Sequence, residues 1–305
     1  MADPTKVASA TATTEQAKQA FTLEDITGES TQLNMLIYGT YGCGKTTLAA
    51  TAADIVDMSD VLFLDVESGQ MVIRESDRIK NKNRISRIRI ESYRQMAHAH
   101  EFLKAHCRLR DLNTPDANQK LINLEAKFRR VDPKTIKTPK KFRTVIIDSL
   151  SELNQLIIYE LLKLPKPADI DLNEIIDKDG EMEVADWGVY NKNNQAMQMI
   201  IRAYRDLPVN VILVCHASYE QDEIKRFHYT PGLTGKLSSQ VQGFVDIVGY
   251  LKVGAAKEGE KEAPRRLYIQ PTGTFDAKNR KASIKTSFFD NPTLASIWTE
   301  LAKVA

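Results

Sequence analysis

Eight residues near the amino end constrain this chain more than any other feature: Gly39-Thr40-Tyr41-Gly42-Cys43-Gly44-Lys45-Thr46. They fit the spacing G-x-x-x-x-G-K-[ST] without departure, and they follow the apolar run Leu33–Tyr38. Glycines at these places let the backbone curl until successive N–H groups point at one phosphate. A helix starting at Lys45 adds the partial positive charge of its N-terminus. In such a loop the lysine reaches the β- and γ-phosphates and the Thr46 hydroxyl ligates Mg²⁺. Thr47, the third residue of that helix, joins the nucleotide-binding set. The expected ligands are ATP and Mg²⁺.

The remaining pattern is that of an alternating α/β chain. Apolar strands are expected at Leu33–Tyr38, Val61–Asp65, Ile88–Ile90, Thr144–Asp148, Val211–Cys215, Val245–Val253 and Arg266–Gln270. Helices are expected from Lys45 to about Ala53, from Tyr93 to about His106, within Gln119–Arg130, from Glu152 to about Lys163, and from Tyr190 to Leu207. A short last helix should follow the capping pair Asn291-Pro292. Strands alternating with helices imply a mainly parallel, twisted sheet covered on both faces. Residues 1–30, rich in Ala, Thr and Ser, read as a flexible tail, so the ATPase domain is expected over 31–305. Between Arg108 and Arg143 cations outnumber acids and three prolines intervene, which reads as a basic insertion on the core.

Bulk properties narrow the class further. No run of eighteen apolar residues occurs and the first twenty residues hold no secretory-type apolar stretch, so neither a membrane span nor export is expected. Three cysteines without ligand spacing imply neither a disulfide framework nor a zinc site, and a cytoplasmic setting is the simplest expectation. The net charge of +2 does not by itself indicate nucleic-acid binding.

A phosphate-binding loop needs acids beside it. Asp148 closes the apolar strand Val145-Ile146-Ile147 and is the candidate for holding the metal. Hydrolysis also requires a base near the attacking water. Asp65 and Glu67, just past the second strand, are both candidates; alternation points them in opposite directions, and spacing alone leaves the choice open.

Taken together, these motifs resemble the RecA-type recombinase and helicase core. Leu64-Asp65-Val66-Glu67-Ser68-Gly69 is similar to the family's hydrophobic-Asp-x-Glu segment, which assigns the base to Glu67. Val145–Leu150 resembles the metal-binding strand, with its Ser after the Asp. Strand Val211–Cys215 followed by His216 resembles the sensor strand, His216 standing where many members carry Gln. Ala277-Lys278-Asn279-Arg280 resembles the Lys-x-Arg element whose cations reach a neighbouring protomer's ATP, which implies trans roles for Lys278 and Arg280. The order of motifs, including Ala185–Gly188 and Pro231–Lys236, resembles a phage-encoded group of short RecA-core ATPases linked to single-strand annealing and recombination.

That resemblance implies a DNA-stimulated ATPase that forms a ring or filament on single-stranded DNA in the host cytoplasm. It implies no membrane partner, and it suggests a single-strand-binding protein or an exonuclease as a further one. DNA would meet the loops Leu164–Trp187 and Ser218–Ser239. The first is acidic, so the second, with Lys225, Arg226, Phe227 and Lys236, is favoured. A helicase-type motor on the same core, and an ATP-dependent switch that binds a protein without DNA, are the competing expectations.

Overall fold

The computed structural model describes residues 32–112, 114–164, 186–221, 224–256 and 263–302. The expected tail 1–30 and most of the acidic loop Leu164–Trp187 lie outside the described residues.

Strand β1 (Asn34–Gly39) runs into the phosphate loop, then α1 (Lys45–Ala50). The helix stops short of Ala53. The Thr51 hydroxyl donates back to the Leu48 carbonyl at 2.6 Å and accepts the Leu294 amide at 2.9 Å, so the chain tightens into a 3₁₀ turn over Thr51–Asp54. Next come β2 (Val61–Asp65), α2 (Gln70–Glu75), β3 (Ile85–Arg89), α3 (Tyr93–Arg110) and α4 (Pro115–Arg129). Strand β4 (Thr144–Asp148) leads to α5 (Leu150–Leu161), and α6 (Trp187–Arg205) precedes β5 (Asn210–Gln221). The chain ends through β6 (Phe227–Pro231), α7 (Leu237–Phe244), β7 (Ile247–Val253), β8 (Arg265–Tyr268), β9 (Lys278–Asn279), β10 (Phe288–Asp290) and α8 (Leu294–Ala302).

One sheet organises these elements, in the order β10-β8-β7-β1-β5-β4-β2-β3. From β7 to β3 every neighbouring pair is parallel; β8, β9 and β10 add antiparallel pairs beyond β7, and β6 pairs antiparallel with β5. Alternation along the strands assigns residues to two cores. On β1, Leu36 and Tyr38 enter the core shared with α3, α5, α6 and α7, whereas Met35 and Ile37 enter the one shared with α1 and α8. On β4, Val145 and Ile147 face the first core and Ile146 the second, so Asp148 emerges on the α1 side.

The basic segment is more firmly built than an appended arm. Thr114 caps α4 and Pro115 opens it, and Ala117, Leu121, Glu125 and Ala126 are buried. Phe128 meets Phe102 of α3 with ring centroids 4.7 Å apart. Arg110 is itself buried, held by Asp111 and by the carbonyls of Phe142 and Pro208. The expected loop Ser218–Ser239 is also corrected. Strand β5 continues to Gln221 and turns back as β6, and α7 begins at Leu237. The alternation of Tyr219, Phe227 and Tyr229 is a hairpin signal hidden among polar residues.

Candidate nucleotide site

The phosphate loop leaves the carboxyl end of β1, between β5 and β7. Gly42 (φ 70°) and Gly44 (φ 95°) adopt left-handed backbone that a side chain would strain. Gly39 is required for another reason: a Cβ there would lie 2.4 Å from the Leu251 carbonyl oxygen. Lys45 is buried, and its Nζ donates to the carbonyls of Gly39 (3.1 Å) and Thr40 (2.9 Å). Its ammonium is thus pinned at the mouth of the loop. Thr47 is buried in the first turn, and Cys43 is buried with its thiol pKa raised chiefly by desolvation.

Strand order brings the acids to the same edge. β5 lies between β1 and β4, and β2 flanks β4, with Asp65 paired in register to Asp148. The Thr46 hydroxyl donates to Asp148 Oδ2 at 2.6 Å, while Asp148 Oδ1 is buried without a hydrogen-bond partner among the described residues. Burial pushes the Asp148 carboxyl up to about 6, the Thr46 hydroxyl opposing it and the Glu67 and Asp65 charges adding to it. Gly69 lies over this pair: a Cβ there would stand 3.6 Å from Asp148 Oδ2 and 3.9 Å from the Thr46 methyl. Two hard oxygen donors, one orphaned and buried, under a residue without a side chain, fit Mg²⁺. When bound, the ion would neutralise phosphate charge.

The structure separates the two acids that spacing left open. Asp65 is fully buried; Oδ1 accepts the Gly69 amide at 2.9 Å and Oδ2 accepts Arg87 Nε at 2.6 Å. Both oxygens are occupied, so Asp65 braces the Ser68–Gly69 turn. Glu67 is held differently. The amides of Val66 and Glu67 both donate to the Asp148 carbonyl, which fixes this segment beside the end of β4. Its carboxylate lies 3.3 Å from His216 Nε2. That is within hydrogen-bonding distance but off the axis of a hydrogen bond, and neither His216 nitrogen has a hydrogen-bond partner among the described residues. The His216 ring is the main reason the Glu67 carboxyl sits below its usual range; burial opposes it, and Ser149 and Lys45 assist.

Two contacts around His216 carried no sequence signal. Tyr41 stacks on its ring at 4.2 Å between centroids while remaining largely exposed. The Ser151 hydroxyl accepts the His216 amide at 3.0 Å and donates to the Gly232 carbonyl at 3.0 Å, tying α5 and β5 to the turn after β6. A cleft of about 320 Å³ opens here, lined by Tyr41, Ser151, Gln155, His216 and Tyr219 among others.

The remaining candidates lie elsewhere. Lys278 pairs in register with Val248, and the Arg280 amide donates to the Asp246 carbonyl, just before β7. That is the end of the sheet opposite the phosphate loop. Lys278 Nζ donates to the carbonyls of Gln242 and Val245, capping the carboxyl end of α7, and its pKa is lowered by desolvation and by Arg280. Arg280 is exposed. Lys225, Arg226 and Phe227 cluster at the exposed β5–β6 turn, whereas Lys236 lines a separate groove beside Trp187 and α6.

A phosphate loop at the edge of a parallel sheet, with the hydrogen-bonded Thr46–Asp148 pair and Glu67 beside it, is the arrangement of a P-loop ATPase domain. The chain belongs to the AAA domain family, whose model matches residues 31–281. Nucleotide binding and hydrolysis are the chemistry of that family. No curated protein matches the chain. Among the described residues no helix is long and apolar enough to cross a membrane.

Proposed function

We propose that the chain is an oligomeric ATPase of the short RecA-core type that binds single-stranded DNA and promotes annealing or recombination. One observation carries this reading. Strand β5 runs without interruption from the sheet core, through His216 beside Glu67, to a hairpin that projects Tyr219, Lys225, Arg226 and Phe227. Tyr219 is 62% exposed and Phe227 46%, with ring centroids 5.4 Å apart, so bases have faces to stack on beside cations for phosphates. A change at the γ-phosphate end is transmitted along one strand to the DNA-facing turn.

In this mechanism the loop amides and Lys45 hold the phosphates. Thr46 and Asp148 would hold Mg²⁺, which when bound would supply positive charge against the phosphate oxygens. Glu67 takes a proton from the attacking water as that water's oxygen bonds to the γ-phosphorus and the bond to ADP breaks. His216, within reach of Glu67, aligns the base and reports the state of the γ-phosphate. Lys278 and Arg280, far from their own loop, act on a neighbouring protomer; Arg280 supplies the reaching cation and Lys278 anchors its strand.

The test is phosphate release with and without single-stranded DNA, duplex DNA serving as control. Stimulation by single strands that disappears in a Lys225→Ala/Arg226→Ala/Phe227→Ala variant supports the proposal. Nucleotide turnover indifferent to DNA rejects it and favours the protein-partner switch. For that second reading the specific observation is the groove of about 940 Å³ beside α6, lined by amide side chains and by Trp187, which is 85% exposed.

A further inference from the structure

The strand that carries the two distant cations needs tethers from outside its own ladder. β9 is two residues long, with Lys278 opposite Val248 and Asn279 opposite Ile247. Two backbone pairs are too short a ladder to fix the direction of an exposed side chain, and Arg280 follows directly after them. Downstream, the Arg280 amide donates to the Asp246 carbonyl at 3.0 Å, and Lys281 Nζ lies 3.2 Å from Asp246 Oδ2. Upstream, the tether is Asp276, a residue that no motif and no part of the nucleotide site accounts for.

Three elements converge on Asp276. Its Oδ1 lies 2.9 Å from His228 Nε2 of β6, and its Oδ2 accepts Gln242 Nε2 of α7 at 2.6 Å. The backbone is held as well. The Asp276 amide donates to the Tyr229 carbonyl at 3.0 Å, and its carbonyl accepts the hydroxyl of Tyr38, the residue before the phosphate loop. The side chains of Asp276 and His228 are about one-third exposed, yet both carboxylate oxygens are engaged. The α7 contact leads back to the cations. Lys278 Nζ donates to the Gln242 carbonyl and, at 2.7 Å, to that of Val245. Asp276, Gln242 and Lys278 therefore close a ring of contacts that starts and ends on the cation-bearing segment.

We infer that Asp276 is a positioning residue for the trans cation: by binding β6 and α7 it sets the direction in which Arg280 leaves β9 toward the neighbouring protomer's nucleotide. The inference rests on the trans role proposed above for Arg280. A trans cation acts on charge that develops on the transferring phosphoryl group, so misdirecting it lowers kcat and leaves KM for ATP nearly unchanged. Misplacement by about 1 Å at a reacting centre costs up to about a hundredfold.

The experiment uses full-length Asp276→Ala, Asp276→Asn and Gln242→Ala, alone and in verified mixed assemblies. Phosphate release is measured across ATP concentrations with saturating Mg²⁺ and single-stranded DNA. Asp276→Ala should lose about tenfold to a hundredfold in kcat, and Gln242→Ala, which cuts only the α7 tether, about threefold to tenfold. Asp276→Asn should stay near wild type, because its oxygen can accept Gln242 Nε2 while its NH₂ donates to an unprotonated His228 Nε2. Mixing gives a readout that a damaged fold does not imitate. Asp276→Ala protomers mixed with Glu67→Gln should turn over faster than the two alone combined. Mixed with Arg280→Ala they should not, since both protomers then lack the trans side. The opposite pattern places the defect in the protomer's own site and overturns the inference, as does wild-type kcat in Asp276→Ala. If Asp276→Ala does not fold, Gln242→Ala is read in the same mixtures with the same outcomes. Glu67→Gln mixed with Arg280→Ala is the control. No recovery there removes the trans role and this inference with it; recovery there but not with the Asp276 or Gln242 variant overturns this inference alone.

Discussion

Asp65 and Glu67 are two residues apart, and the structure requires that replacing them give opposite phenotypes. In Asp65→Asn the one remaining carbonyl oxygen can serve either the Gly69 amide or Arg87 Nε. Its new NH₂ then opposes the other donor. Asp65 is fully buried, but the Arg87 side chain is 28% exposed and can regain water, so the loss falls below that of a fully buried broken pair. A value of about 2 to 3 kcal/mol follows, lowering Tm by about 4 to 12 °C for a domain of this size. Glu67→Gln removes a half-exposed carboxylate from the edge of His216 and should cost under about 1 kcal/mol. On the proposed mechanism it deletes the proton acceptor, and turnover should fall about a hundredfold to ten-thousandfold with nucleotide binding kept. Thermal unfolding and phosphate release at saturating ATP and Mg²⁺ read both arms. Near-normal turnover in Glu67→Gln, or an unchanged Tm with lost turnover in Asp65→Asn, would refute the division of labour.

Mixed assemblies of Glu67→Gln and Arg280→Ala protomers should recover turnover that neither variant has alone, since an intact base and an intact trans cation then meet at some interfaces. Verified mixtures with no recovery would remove the trans role. His228 supplies a pH test of the hairpin. Burial pulls its pKa down, but the 2.9 Å contact with Asp276 and the Gly273 carbonyl outweigh it and the net shift is upward from 6.5. Stability from this pair is therefore fully present below pH 6.5 and is lost as pH rises through the higher folded value. The denaturation midpoint of wild type should exceed that of His228→Gln on the acid side, the gap closing as pH rises. A pH-independent gap would show that the charge of His228 is not what stabilises the hairpin.

Much of the site was legible because it is local. The loop Gly39–Thr46 needs left-handed glycines at fixed places, a lysine and a threonine, and all of these are consecutive in sequence. Strand β4 was equally plain, five buried residues ending in the acid that meets Thr46. The strand–helix alternation, with apolar runs buried on both faces, likewise declared a mainly parallel α/β core. Local pattern failed where polar side chains formed secondary structure. The β5–β6 hairpin alternates aromatics with charges at its exposed end, and α1 stops at Thr51 because a hydroxyl competes for the helix carbonyl.

Tertiary structure alone decided which acid is free. Asp65 is bound by Arg87, twenty-two residues away, and Glu67 faces His216, which lies far along the chain and reaches the site only because β5 inserts between β1 and β4. The same strand order put Lys278 and Arg280 at the end of the sheet opposite the loop. Backbone conformation is set by neighbours in sequence, so the sequence by itself determined the loop and its chemistry. The partners of a side chain are set by which strands lie side by side, and that pairing exists only once the sheet has closed.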